Sequence, residues 1–249
     1  MRWLRRREPT DDPFTERTRS ERRQRWTRVA LGVLLVAATG ALVWLIWFSS
    51  VLAVKDVEVS GRTTLKEQQV LRAAQVPTGR PLARVDVGAI EGRVLTLDRV
   101  DSVEVSRSWP HTLSIDVVER TSVVWARINN QVRGIDRNGI AFRSYGTPPK
   151  DLLEATIDIT DSRDRLQTSA AVAAVVVLIT DQDPALRRQV ESVSAASQDS
   201  IELTLSKGRT VVWGSRDDGE RKLTVLTSLL GIDATRYDVS APDQPTTRQ

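Results

Sequence analysis

Few side chains in this sequence could carry out chemistry, and their arrangement argues against most of it. There is no cysteine among the 249 residues, which removes thiol nucleophiles and cysteine-ligated zinc. The single histidine, His111, removes a multi-histidine metal centre and most serine–histidine–aspartate schemes. Acids and serines are plentiful, but no motif sets a nucleophile beside a base. Thr78-Gly79-Arg80 lies between Pro77 and Pro81 and reads as a turn, not as a phosphate-cradling loop. Asp136, in Asp136-Arg137-Asn138-Gly139, is the acid most open to a catalytic reading, yet an aspartate in such a turn ordinarily caps its own backbone. No cofactor, metal or small-molecule substrate is expected, and the inference is a binding or scaffolding protein.

The chain is organised around Val29–Phe48, twenty residues without a charge. As a helix they span about 30 Å, the thickness of a bilayer's hydrocarbon core. Trp44, Trp47 and Phe48 cluster at the far end, where aromatic rings favour the interface. The expectation is one transmembrane helix over 29–49. A cleaved signal peptide is the alternative, but its apolar core would be shorter, about 7–15 residues. Gly32, Val36 and Gly40 at four-residue spacing would permit close approach of a second helix.

The charge divides the same way. Residues 1–28 hold ten arginines and five acids, a net +5 in a chain whose total is +4, so the remainder carries −1. By the positive-inside rule this basic tail is cytoplasmic and everything after the helix lies outside the membrane. With Pro9, Pro13 and no apolar period, the tail reads as mostly disordered. It serves as a topology signal, or binds anionic lipid or a cytoplasmic partner. Nucleic-acid binding has no motif to support it.

After the helix, Val54, Val57 and Val59 lead as a strand to Gly61. Thr64 and Glu67 form a capping box that opens a helix through about Ala74. Asp86 caps a second helix, with Ile90, Val94 and Leu97 on one face. Val103, Val105 and Trp109, then Leu113, Ile115 and Val117, alternate with polar residues about a turn at Pro110-His111, giving a β-hairpin. Trp109 supplies a large apolar body for this small sheet, and Pro110 ends its strand. The order is β-α-α-β-β.

These residues carry a resemblance. Val54-Lys55-Asp56-Val57-Glu58-Val59-Ser60-Gly61, the pairs Pro81-Leu82 and Val85-Asp86, and above all Val103-Glu104-Val105-Ser106-Arg107-Ser108-Trp109-Pro110 with Thr112-Leu113-Ser114-Ile115-Asp116-Val117-Val118-Glu119-Arg120 resemble the polypeptide-transport-associated (POTRA) domain of the bacterial FtsQ/DivIB division family. The motif positions are Gly61, Arg107, Trp109, Pro110, Glu119 and Arg120. Where the family commonly continues with a Pro-Val-Ala-like string, this chain has Thr121-Ser122-Val123-Val124-Trp125. The sequence assigns Glu119 and Arg120 no role beyond marking the end of the first domain.

Beyond Arg120, Val123–Ile128 and Gln131–Asp136 flank the hairpin turn Asn129-Asn130. Ile135-Asp136-Arg137-Asn138-Gly139-Ile140-Ala141-Phe142 is similar to a family segment. Residues 144–168 read as turn-rich and then charged. Leu166–Thr180 is a buried helix, its apolar run too short to span a bilayer. Val190–Ser197, Ile201–Leu205 and Thr210–Trp213 are strands, with a tight turn at Lys207-Gly208. Ser215 and Asp218 precede a helix faced by Leu223, Leu226 and Leu230 and closed by Gly231. Thr235–Ser240 is the last strand, and 241–249 a flexible tail whose start again resembles FtsQ.

The expected fold is α+β: tail 1–28, transmembrane helix 29–49 anchored by Val29, Trp44, Trp47 and Phe48, POTRA domain 50–120, and a β-domain 121–240 of mostly antiparallel sheet with packed helices. The resemblance implies a division scaffold at the septum that binds the bitopic proteins FtsB (DivIC) and FtsL, with FtsB adding a strand to the last strand of the β-domain. That places the partner site on Thr235, Arg236, Tyr237, Asp238, Val239 and Ser240. Tyr237 is either an aromatic anchor for the partner or ordinary sheet packing. A membrane-anchored wall enzyme and a peptide-chaperoning or wall-binding POTRA module are the alternatives from other classes.

Overall fold

The computed structural model describes residues 13–159 and 161–249, with side chains of the first helix from Arg25 onward. In chain order the helices are α1 (Pro13–Phe48), α2 (Glu67–Ala74), α3 (Val87–Val94), α4 (Ser162–Gln182), α5 (Pro184–Gln189) and α6 (Gly219–Leu229). The strands are β1 (Asp56–Ser60), β2 (Val100–Ser108), β3 (Thr112–Glu119), β4 (Val124–Ile128), β5 (Gln131–Ile135), β6 (Ala141–Tyr145), β7 (Leu153–Ile157), β8 (Val190–Ala195), β9 (Ile201–Leu205), β10 (Arg209–Gly214), β11 (Arg236–Asp238) and β12 (Thr246–Arg248). The fold is α+β, and its first part has the expected β-α-α-β-β order. Strands β1, β3 and β2 form a three-stranded sheet in that order, and the remaining nine a second sheet ordered β12-β11-β10-β9-β8-β7-β4-β5-β6.

Helix α1 begins at Pro13, sixteen residues ahead of the expected start, so the part of the tail from Pro13 is helical where disorder was expected. Residues 1–12 of the expected tail lie outside the described residues. The apolar span nucleates the helix, and extending a formed helix costs far less than starting one. The 24 residues Arg25–Phe48 are long and apolar enough to cross a membrane, and their apolar window is entirely unburied.

Contacts gather into two compact units. The first contains the chain up to Glu58, Gln75–Ile90 and Val105–Ile115. Here the chain leaving α1 makes a short 3-10 turn, Ser50–Leu52, with the Val51 N–H on Ser49 Oγ. It is then pinned. Ala53 bridges Pro81, the Val54 N–H donates to Arg80 O and the Lys55 N–H to His111 O, both at 2.9 Å. Asp86 caps α3 as expected, accepting the Ala89 N–H at 3.0 Å. Trp109 departs from expectation: it is 51% exposed, whereas Leu113 and Ile115 are fully buried. Strand β2 ends at Ser108 and β3 begins at Thr112, so Trp109 lies in the connecting turn and not on the sheet face that forms the core.

The second unit contains Val59–Ala74, Glu91–Glu104 and the chain from Asp116. The expected capping box at its first helix is displaced. The Lys66 N–H donates to Gln69 Oε1 at 3.1 Å, so Gln69 reaches back to the start of α2 while Thr64 is held elsewhere. The nine-stranded sheet is mixed, with β4/β7, β7/β8 and β10/β11 parallel and its other pairs antiparallel. Hairpin β4–β5 turns on Asn129 and Asn130, both at positive φ, which the right-handed twist of paired strands favours. The parallel neighbours β7 and β8 require a crossover, supplied by α4 and α5. Helix α4 is capped by Asp161, which accepts the Arg163 and Asp164 N–H groups and is thereby held below the usual carboxylate range. Its Val172, Val175, Val176 and Ile179 pack with Val193, Leu203, Leu205, Val211 and Trp213 in one core.

Four further expectations change. Strand β7 falls in the stretch 144–168 read as turn-rich, and helix α5 where no element was assigned, because each is only five or six residues long. Asp218 occupies the N-cap of α6 without a side-chain cap bond, and Gly231 is not left-handed. The supposed flexible tail contains β12, and that makes β11 an inner strand of the sheet.

Candidate functional site

Glu119 and Arg120 acquire roles through residues distant in sequence. Strand β3 carries Glu119 to the loop that follows Gly61. Its Oε1 accepts the N–H groups of Thr63, Thr64 and Leu65 at 2.5, 2.7 and 2.8 Å, and its Oε2 the Thr64 hydroxyl. Partial burial opposes ionisation, but the Leu65 N–H, the Thr64 hydroxyl and the Thr63 and Thr64 N–H groups outweigh it and hold the carboxyl at about 2. The loop reaches that position because Gly61 stands at φ 75°, where a Cβ would lie 2.2 Å from Val117 O. Only glycine fits there.

Arg120 points the other way. Its guanidinium, 15% exposed, contacts Asp101 Oδ1 at 3.1 Å and pairs with Asp136 Oδ2. Asp136 is 2% exposed, and its Oδ1 accepts the Asn138 and Ile140 N–H groups at 2.9 and 2.8 Å. It therefore caps its own turn, and it also neutralises Arg120. Gly139 closes the turn at φ 82° with its ideal Cβ position 2.5 Å from Ala170 N, so the turn lies directly on α4. A cleft of about 520 Å³ beside these residues is lined by Thr63, Arg99, Glu119, Phe142, Arg143 and Tyr145. Its one glutamate is bound through Oε1 to three backbone N–H groups and through Oε2 to the Thr64 hydroxyl.

The other motif residues have separate tasks. Arg107 donates from Nε to Leu82 O at 3.1 Å and from Nη2 to Val85 O at 2.8 Å, holding the 3-10 turn Leu82–Arg84. Pro110 follows Trp109 in the β2–β3 turn. In the anchor, Val29, Trp44, Trp47 and Phe48 are exposed on α1, Trp44 stacks on Phe48 at 6.5 Å, and the Arg84 guanidinium lies 5.5 Å from the Phe48 ring.

The residues expected to bind a partner are split. Tyr237 is 1% exposed, its hydroxyl donates to Ile232 O at 2.8 Å, and it belongs to the core with Val239. It is sheet packing in this structure. Thr235, Arg236 and Ser240 are exposed. Arg236 pairs with Glu202 at 2.9 Å, and Asp238 accepts from the Ser240 N–H and hydroxyl. Thr235 donates from N and Oγ1 to Arg248 O, tying β11 to β12. β12 lies antiparallel to β11 with Arg236 opposite Arg248, and all three of its residues are exposed. The sequence signal for β12 was the pair Thr246-Thr247 after Pro245, too short to show a period.

Among the described residues, no three metal-ligating side chains converge. His111 Nδ1 lies 3.4 Å from Asp56 Oδ2, a pair more than a third exposed. What these residues form is an internally paired cluster around Glu119 and Arg120 and, separately, a sheet end.

Two family models match the chain: POTRA domain, FtsQ-type, over residues 52–120, and Cell division protein FtsQ/DivIB, C-terminal, over residues 123–239. The chain is 37% identical to cell division protein FtsQ of Streptomyces collinus over 228 residues, covering 87% of this chain and 86% of that protein. It is 34% identical to the Streptomyces coelicolor protein of the same name, covering 98% and 95%. Against that of Mycolicibacterium smegmatis it is 37% identical, covering 88% and 63%. With its membrane helix, POTRA domain and mixed sheet, the chain belongs to the FtsQ/DivIB family of cell division proteins.

Proposed function

We propose that this protein is a non-enzymatic scaffold of the division machinery. It links early cytoplasmic division proteins to septal wall synthesis by binding FtsB-like and FtsL-like bitopic proteins. In this reading residues 1–28 are cytoplasmic, 29–49 cross the membrane, and a POTRA domain (50–120) and β-domain (121–240) act outside it at the septum. The partner contributes a strand that takes the place of β12 beside β11. The observation that carries this placement is the sheet end itself: three exposed residues cover the outer edge of β11, whose other edge pairs with β10. A strand edge offers unpaired N–H and C=O groups that an added strand satisfies, and a three-residue cover is among the least stable elements a sheet can hold.

The test is depletion and rescue in the source cell, with each variant checked for production and export. Depleted cells are expected to filament. The intact chain and a chain ending at Ala241 should rescue. A chain ending at Thr235 should reach the septum but lose the FtsB-like partner. Normal division on depletion would refute the division role. Full rescue by the chain ending at Thr235 would refute the partner site.

A further inference from the structure

The feature that neither the division role nor the sheet end accounts for is Trp109. An indole is among the largest apolar bodies a side chain offers, and leaving half of it in water forfeits much of its burial energy. Tryptophan is enriched at the membrane–water interface, where one side of the ring is apolar and the N–H end is wet. The position of Trp109 matches that environment through a continuous set of contacts. The anchor ends at Phe48, whose ring carries the Arg84 guanidinium at 5.5 Å. Arg84 closes the turn Leu82–Arg84, which Arg107 holds by Leu82 O and, one residue further on, Val85 O. Arg107 is two residues from Trp109. Independently, Lys55, seven residues beyond Phe48, donates its N–H to His111 O on the other side of the same turn.

The surroundings have the composition of an interfacial surface. Phe48 and Val51 are exposed at 62% and 65%, close to the end of the span. Lys55, Arg80, Arg84 and Arg107 add four exposed cations. Of the exposed acids in the same unit, Asp56 lies against His111, Asp86 caps α3, and Glu58 stands on β1. We propose that the β2–β3 turn, led by Trp109, is seated in the leaflet from which α1 emerges, with Lys55, Arg80 and Arg84 on the phosphates of anionic lipid. This gives the protein a second membrane contact beyond its anchor. Such a contact would fix how the POTRA unit stands on the bilayer, which a single helix leaves free to rotate.

The test uses the full chain in liposomes of phosphatidylethanolamine and phosphatidylglycerol. Because the chain has no cysteine, Ser108→Cys places a single nitroxide label beside Trp109. Ser102→Cys, about 20 Å back along β2, places one as the control. Collision with oxygen, which partitions into lipid, is compared with collision with a water-soluble nickel chelate. The label at 108 should show a several-fold loss of nickel accessibility relative to that at 102. Adding Trp109→Ser should restore it while leaving the spectrum at 102 unchanged, which shows that the fold survives. Replacing phosphatidylglycerol by phosphatidylcholine should raise nickel access at 108. Equal nickel access at 108 and 102 in the otherwise intact chain would overturn the proposal, as would no response to Trp109→Ser. Indifference to lipid charge would overturn the assignment of the cations.

Discussion

Replacing Glu119 by glutamine keeps the shape of the side chain and removes its charge, which isolates what the carboxylate contributes to the loop Thr63–Leu65. A carboxyl held at about 2 against an ordinary 4.5 binds its proton much more weakly in the folded chain than in the unfolded one. At about 1.36 kcal/mol per pK unit the difference is about 3 kcal/mol. The group is partly open to solvent, so screening reduces the expected contribution to about 1–2 kcal/mol. The folded value is depressed, so this stability is fully present above pH 4.5 and is lost as pH falls from there towards about 2. The assay is urea unfolding of the full chain in detergent micelles, followed by the fluorescence of the buried Trp125 and Trp213. Between about pH 7 and pH 5 the Glu119→Gln chain should be less stable than the parent by about 1–2 kcal/mol. Below pH 4.5 the two curves should converge as the parent alone loses its contribution. Parallel curves across that window would refute the account, because they would mean the carboxylate is not selectively bound in the folded state.

Arg120→Ala should cost about 3–5 kcal/mol in the same unfolding assay, since it leaves the Asp136 carboxylate buried without its counter-charge. Arg120→Ala combined with Asp136→Asn should recover part of that loss. Gly61→Ala should cost about 2 kcal/mol or more, because a Cβ at positive φ would meet Val117 O; an unchanged urea midpoint would contradict it. The double variant Arg236→Cys, Arg248→Cys joins residues directly opposite each other in β11 and β12. Opposed Cα atoms about 4.5–5.5 Å apart suit a disulfide. Oxidation should abolish pull-down of an FtsB-like partner and reduction should restore it, whereas equal capture in both states would show that the partner does not replace β12.

Much of this architecture was legible in sequence because its signals are local. A membrane helix is a matter of length and charge, both readable within Val29–Phe48. The β4–β5 hairpin follows from Asn129-Asn130, and the order of elements from short-range alternation and turn chemistry. The shortest elements were not legible: β7, α5 and β12 are too brief for periodicity, and Gln69 rather than Glu67 reaches back at α2 because Thr64 is drawn to Glu119. The string Val103–Arg120 carries the resemblance to the division family, yet it does not show what Glu119 and Arg120 do. Glu119 meets partners some 55 residues away, and Arg120 meets Asp136 across 16.

By itself, then, the sequence determined that this is a membrane-anchored α+β protein whose residues supply no recognisable catalytic constellation. Only the tertiary structure decided that Tyr237 is core, that β11 has a neighbour on its outer side, that Glu119 and Arg120 are bound to opposite partners, and that Trp109 lies exposed in the β2–β3 turn. The physical reason is the range of the interactions. Periodicity, caps and turns act over a few residues and leave their mark on the chain locally. Burial, strand neighbours and ion pairing depend on which distant segments the fold brings together, and one short strand after Pro245 is enough to turn an expected edge into an interior position.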